Sequence, residues 1–263
     1  MTGDRTARIK VLVARQAALR GARVGVVDVC TAAVATLPIG GAGVSAMSRT
    51  AAGHPLCSTD LVSERLEELQ LTLGEGPCVD AYALGSAVLA SDLRGDEERH
   101  RWPVFAPEAT AAGAGSVFAF PLQIGAISPG VLDLYSGVPV ELDSEQLADA
   151  MVLADTATLV LLGTRISEVG ARPDGNPPPP GSQDACPADG RLEDLGGHRA
   201  EIDQATGMLT VQLGVDVEEA FVRLRAYAYT DGRRLAEVAA DVVARRLRFR
   251  PGSDDGFGTA DDA

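Results

Sequence analysis

The chain has 263 residues, a formal net charge of −14 and a 46% apolar composition, enough for one large domain or two small ones with packed cores. Global disorder is excluded by that apolar content. No run of eighteen uncharged apolar residues occurs, which argues against a membrane span.

Residues 5–22 read as a helix carrying Arg5, Arg8, Lys10, Arg15 and Arg20, without the compact apolar core of a secretory signal. A second helix is predicted from Ser58 to Gln70, with Leu61, Val62, Leu66 and Leu69 on one face. Ala87–Ala90 reads as a short strand. Ser116–Gln123 and Gly130–Tyr135 read as an antiparallel hairpin turning at the run ISPG, with Pro121 favouring a bulge or an edge. A long helix from Asp143 to Leu162 follows, opened by Asp143 or Ser144 as its cap. Helices around antiparallel strands predict an α+β domain over residues 5–168.

Residues 169–193 hold the run PDGNPPPPGSQDACPADG, a proline- and glycine-rich linker, because consecutive prolines can continue neither a helix nor a central strand. Residues 194–250 read as a small all-α bundle of three helices. The first places Ile202, Ala205, Leu209 and Leu213 on one face and stops at Gly214. The second opens at Asp216 and buries Ala220, Phe221, Leu224 and Ala228. The third packs Leu235, Val238, Ala239, Val242 and Val243, with Arg245, Arg246, Arg248 and Arg250 extending it. Residues 251–263 form an acidic tail expected to be disordered.

Charge is uneven along this plan. Residues 1–197 carry 25 acids and 14 bases, whereas residues 198–250 carry 8 acids and 9 bases. The acidic whole disfavours nucleic acid, and only the bundle has a balance that local basic clusters could overcome. Cys30, Cys57, Cys78 and Cys186 are far apart and form no C-x-x-C pair, which fits a reduced, cytoplasmic protein without a zinc site or disulfide framework. His54, His100 and His198 have no ligand spacing, and no phosphate-loop or kinase signature occurs, so no metal or cofactor is expected.

Two runs resemble known families. His198–Val243, with QA-x-GML, then G-V-D-x-x-EAF-x-x-LR-x-x-A, then R-x-L-x-x-VA, resembles an ANTAR domain, a three-helix RNA-binding module of bacterial antiterminators. LEELQLTLGEGPCVDAY, RWP, SVFAFPL and GVLDLY resemble a GAF domain, of the type that precedes ANTAR in two-domain regulators. The resemblance implies a sensor joined to an RNA-binding output. It further implies a homodimer that binds paired stem-loops in nascent transcripts and so prevents termination, with a small molecule as the ligand of the GAF domain. One departure stands out: Thr206 occupies a position where the family usually has lysine.

Within the ANTAR-like segment the residues suited to RNA are Arg223, Arg225, Arg233 and Arg234 as donor forks, Tyr227 (or Tyr229) as a stacking ring, and Ala205 and Gly207 as small residues allowing close approach. Each also has a structural alternative: a solvated arginine face, ring packing, or close helix packing. In the GAF-like domain Cys78 and Trp102 are the ligand-binding candidates, against an inert buried thiol and a core-capping ring. The competing functional class is a ligand- or redox-sensing GAF protein whose bundle binds a protein partner; an enzyme using Cys78 with Cys57 or Cys30 is disfavoured because no close cysteine pair is visible in the sequence.

Overall fold

The computed structural model describes residues 2–47, 54–170 and 190–250, with side chains over 3–47, 54–163 and 200–250. Residues 171–189, which hold the polyproline run and Cys186, and the acidic tail at 251–263 lie outside the described residues, as does the side chain of His198.

The N-terminal unit runs α1 (Thr2–Arg20), α2 (Val26–Thr36), β1 (Gly41–Ala46), β2 (His54–Ser58), α3 (Leu61–Leu73), α4 (Pro77–Leu84), β3 (Val88–Ala90), α5 (Asp96–Arg101), α6 (Phe105–Ala111), β4 (Ser116–Ile124), β5 (Ile127–Ser136) and α7 (Ser144–Gly170). The strands form one antiparallel sheet in the order β2-β1-β5-β4-β3. Both faces are covered. Phe118, Phe120, Leu132 and Leu134 pack against α1, α2 and α7, joined by Ile9, Val13, Val29 and Leu153. Val117, Ala119, Val131 and Tyr135 face the opposite side, where Leu66, Leu69, Trp102 and Phe105 complete a second core. Alternation along β4 and β5 therefore feeds two cores, which is why both strands read as nearly continuous apolar runs.

The α+β expectation is met, with corrections. Helices α2, α4, α5 and α6 and strands β1 and β2 were not foreseen. Ser58 ends β2 instead of opening a helix; α3 starts at Leu61, where the Asp60 carboxylate accepts the Ser63 N–H at 2.8 Å. Leu61 is 68% exposed and belongs to no core. The hairpin turns at Gly125 and Ala126, Gly125 in the left-handed region at φ 59°, so ISPG opens β5. Strand β3 pairs with β4 only at Val117–Ala119, which leaves Pro121 on a stretch with a single partner strand, where its missing N–H costs nothing. Asp143 caps α7 as expected, accepting from the N–H groups of Glu145 and Gln146. The segment Ser144–Gly163 is apolar and long enough to cross a membrane by composition. Its Ala150, Leu153, Ala154 and Ala157 are nevertheless packed into the first core.

The C-terminal unit is the expected bundle of α8 (Gly190–Leu213), α9 (Val217–Thr230) and α10 (Leu235–Val243). Gly214, at φ 69°, ends α8, and the Asp216 carboxylate accepts the Glu219 N–H at 2.8 Å to start α9. Ile202, Ala205, Leu209, Leu224, Ala228, Leu235, Val238 and Val242 form the core. The arginines after Val243 do not extend α10. Arg245 turns left-handed at φ 60°, and Leu247 and Phe249 then fold back onto the core while Arg246, Arg248 and Arg250 point outward.

Gly130 lies opposite Ala46 in the β1–β5 ladder, and a methyl group at Gly130 would overlap the Ser45 carbonyl. Backbone on a central pair cannot yield as a flexible side chain does. Gly130→Ala is expected to lower unfolding free energy by about 1–3 kcal/mol, measured by denaturant titration.

Candidate functional site

The run GEGPC makes the turn between α3 and α4. Gly74, at φ 68°, ends α3; Gly76, at φ 127°, precedes α4, whose first residue is Pro77. Cys78 is thereby brought under the sheet, its N–H donating to Gln70 Oε1 at 2.7 Å. Glu75 Oε1 accepts the N–H groups of Val104 and Phe105 at 2.8 and 2.6 Å, tying this turn to the start of α6. Glu67, one turn before Gln70, enters between α3 and β1. The Ser45 hydroxyl donates to it, and a side chain at Gly43 would come within 2.5 Å of its oxygen. Asp133 arrives from β5 on the same face. Donor atoms of Glu67, Cys78 and Asp133 lie within 4.8 Å of one another, all buried, and this is the trio among the described residues that could hold a metal ion.

Burial dominates the electrostatics of this trio. It pushes the Asp133 carboxyl up to about 6, with nearby Cys78, Glu67 and Gln70 opposing the shift. It also raises Glu67 and the Cys78 thiol well above their ordinary ranges, and the charge of Asp133 adds to both shifts. Cys78, Glu67 and Gln70 are close enough to Asp133 to act on it as hydrogen-bonding neighbours, but none meets its oxygens with good hydrogen-bond geometry, and the Gln70 amide nitrogen likewise makes no well-formed hydrogen bond. Cys78 is thus a buried thiol, not the exposed thiolate an oxidant sensor needs.

Glu67, Gln70 and Cys78 form part of the wall of a cavity of about 820 Å³, whose other side is built by the bundle through Thr206, Gly207, Phe221 and Arg225. Trp102 does not line it. That ring is 2% exposed, stacks edge-on against Phe105 with centroids 6.4 Å apart, and donates to Asp80, so it is a core residue. Arg101 lies over the same ring and pairs with Asp80 at 2.7 Å.

The structure separates the residues singled out for RNA. Ala205 is fully buried in the bundle core and offers no surface. Gly207 is exposed, and a methyl group there would meet nothing within 4 Å, so helix packing does not require it. Thr206 is buried, its hydroxyl donating to the Ile202 carbonyl at 2.7 Å. Tyr227 packs on Phe249 with ring centroids 5.4 Å apart, whereas Tyr229 is the exposed aromatic.

Of the arginines, Arg223 pairs with Glu219 at 2.6 Å and Arg233 with Asp241 at 2.6 Å, both inside the bundle. Arg234 reaches across to α3, where it meets Glu64 at 2.8 Å and Glu68 at 2.9 Å. These two carboxylates raise its pKa. Arg225 stacks on Phe221, 5.0 Å from the ring centroid, and packs against Gly74. Its Nε is buried without a partner, and burial lowers its pKa.

Two features escaped the sequence reading. Glu67 and Asp133 lay within runs otherwise read as helix and strand. Cys30 and Cys57 are a close pair after all, with sulfurs 2.8 Å apart, brought together by α2 and β2. Both are buried, and the Cys30 thiol is pushed well above its ordinary range by Cys57 and by burial.

Asp133 titrates between an unfolded value near 3.8 and a folded value of about 6, so the native state binds the proton more tightly. Stability contributed by that proton is present at low pH and lost as pH rises through about 6. In chelator-containing buffer, Asp133→Asn is expected to raise the unfolding temperature at pH 8, with the gain shrinking as pH falls from 6 towards 4.

Residues 192–243 match the family model of the ANTAR domain. No curated protein gives a match. Among solved structures, the GAF domain of a phosphoenolpyruvate-protein phosphotransferase from Coxiella burnetii is similar at 13% identity and a TM-score of 0.47, over 62% of this chain and 98% of that one. The corresponding Acinetobacter GAF domain gives 14% and 0.45, over 65% and 98%. Free methionine-R-sulfoxide reductase from Neisseria meningitidis gives 15% and 0.39, over 62% and 93%. Residues 192–243 are therefore an ANTAR domain, and they follow a helix-flanked antiparallel five-stranded domain.

Proposed function

We propose that the protein is a cytoplasmic antitermination regulator that binds paired stem-loops in nascent transcripts through its ANTAR domain. In this reading the GAF-like domain controls that binding and takes a small-molecule ligand. The observation that carries the reading is the ANTAR match over a bundle with a closed apolar core and an α9 capped by Asp216.

Control follows from where the arginines are held. Arg234 is engaged by Glu64 and Glu68 of α3, so an RNA phosphate reaching it must displace two carboxylates. Arg225 is stacked at the domain junction. Exposed ion pairs are each worth about 0.2–1 kcal/mol, small enough for RNA to replace them once the bundle is released. A ligand that favours the docked or the released bundle then shifts the population able to bind RNA, by no more than its difference in affinity for the two.

A homodimer has its own support. Helices α1 and α7 lie side by side, tied by Arg5 to Glu145 and by Arg8 to Asp149 at 2.5 Å. Val11, Arg15 and Leu19 on α1, and Met151, Asp155 and Leu159 on α7, repeat every four residues and are exposed. Two apolar stripes with one basic and one acidic member suit a four-helix contact between two copies.

Two measurements test these readings. The double substitution Glu64→Gln, Glu68→Gln should raise affinity for a tandem stem-loop RNA about fivefold at low salt, corresponding to about 1 kcal/mol of released ion pairing. Arg234→Ala should weaken binding and abolish that gain; equal binding by all forms would reject the reading. Met151→Glu with Leu159→Glu should yield a monomer by sedimentation velocity, with an unfolding free energy within about 0.5 kcal/mol of the parent's per exposed site.

A further inference from the structure

On the α3 face of the sheet, β5 presents Val131, Asp133 and Tyr135 in alternation. An aliphatic side chain is what packing alone would place in the middle. Asp133 is instead 6% exposed, its oxygens lie near Cys78, Glu67 and Gln70 without a well-formed hydrogen bond to any of them, and among the described residues it forms no ion pair. Glu67, 3% exposed, also lacks an ion pair there. Burying carboxylates in this way is costly unless something compensates them. A second residue points the same way. Gln70 is 2% exposed and lines the same space; its oxygen is used by the Cys78 N–H, and its amide nitrogen, beside Asp133, makes no well-formed hydrogen bond. That N–H₂ is placed to donate to a ligating carboxylate or to a metal-bound water.

We propose that Glu67, Cys78 and Asp133 bind a divalent transition-metal ion at the wall of the cavity between the sheet and the ANTAR bundle. A sulfur donor beside two carboxylates favours zinc, iron(II) or cobalt(II) over magnesium or calcium, which take oxygen alone. Bonds of about 2.3 Å to sulfur and about 2.0–2.2 Å to oxygen require the donor atoms, now within 4.8 Å of one another, to draw together around the ion by side-chain rotation. Three protein donors leave at least one position open. Glu67 and Cys78 both line the cavity, so that position faces it. Binding is charge-balanced without any redox partner: the thiol proton and the carboxyl proton of Glu67 leave to solvent, and the ion takes their place. Since the opposite wall belongs to the bundle, a small anion or water on the ion would lie where the two domains meet.

The test uses the full chain, stripped with a chelator and titrated with Co²⁺. The expected result is saturable uptake of one ion per chain with a thiolate-to-cobalt charge-transfer band in the near ultraviolet, bleached by Zn²⁺. Cys78→Ser should lose the band, Cys186→Ser should keep it, and Asp133→Asn should weaken uptake at least a hundredfold. Asp133→Asn removes a buried charge, so circular dichroism should show it folded, and Zn²⁺ should raise the unfolding temperature of the parent but not of this variant. The proposal is overturned by an absent band in the parent, by a band that survives Cys78→Ser, or by an Asp133→Asn variant that binds as the parent does.

Discussion

Helix α3 is the element on which everything else converges, because each of its three faces is committed. Leu66 and Leu69 fill the second core. Glu67 and Gln70 enter the polar space under the sheet. Glu64 and Glu68 hold Arg234, and Leu71 packs against the bundle core. Residues three and four apart share a helix face, so thirteen residues supply all three surfaces with nothing left to slide. The ends are fixed too. Asp60 caps the first turn and accepts from the Tyr135 hydroxyl at 3.1 Å, and Gly74 closes the last turn against Arg225. A group that bound Glu67 and shifted α3 would move Glu64 and Glu68 with it, since they are carried by the same rigid turns.

The electrostatics divide along the same helix. Half-buried carboxylates on α3 neutralise an arginine of the ANTAR domain, and under the proposed function they stand where an RNA phosphate would. Among the described residues, the buried carboxylates on the other side of α3 have no arginine. The first arrangement is cheap and exchangeable; the second is costly and points to a missing partner. Under the proposed function a net charge of −14 is compatible with RNA binding, since repulsion would act on a docked bundle more than on a released one.

The bundle was legible in the sequence because its signals are local: a left-handed glycine at 214, an aspartate cap at 216 and apolar residues at helical spacing. The hairpin of β4 and β5 was legible from its apolar runs, but its turn was misplaced, because ISPG has turn composition while Gly125 has the turn's backbone. Strand β1 was invisible. Its sequence GAGVSA has the composition of a loop, yet Gly41 and Gly43 are small because Asp60, Tyr135 and Glu67 press on that strand. Long-range packing wrote those glycines, and no local window reports it. The same holds for Cys30 with Cys57, and for Glu67 with Asp133, which are 66 positions apart in the chain and meet only when α3 lies across β5.

Thr206 shows how a departure from a family pattern is reread once its surroundings are known. As sequence it is a lost cation, and so a weaker grip on phosphate. In the fold the position is buried, its hydroxyl satisfied by the Ile202 carbonyl, and it lines the cavity opposite Glu67 and Cys78. A lysine there would carry an ammonium group into that cavity, where it would either remain poorly solvated or neutralise the acids on the far wall. Threonine does neither. It lets the bundle dock while leaving Glu67 and Asp133 without a cation from that position, so the departure from lysine preserves the buried negative charge on which the proposed metal site depends.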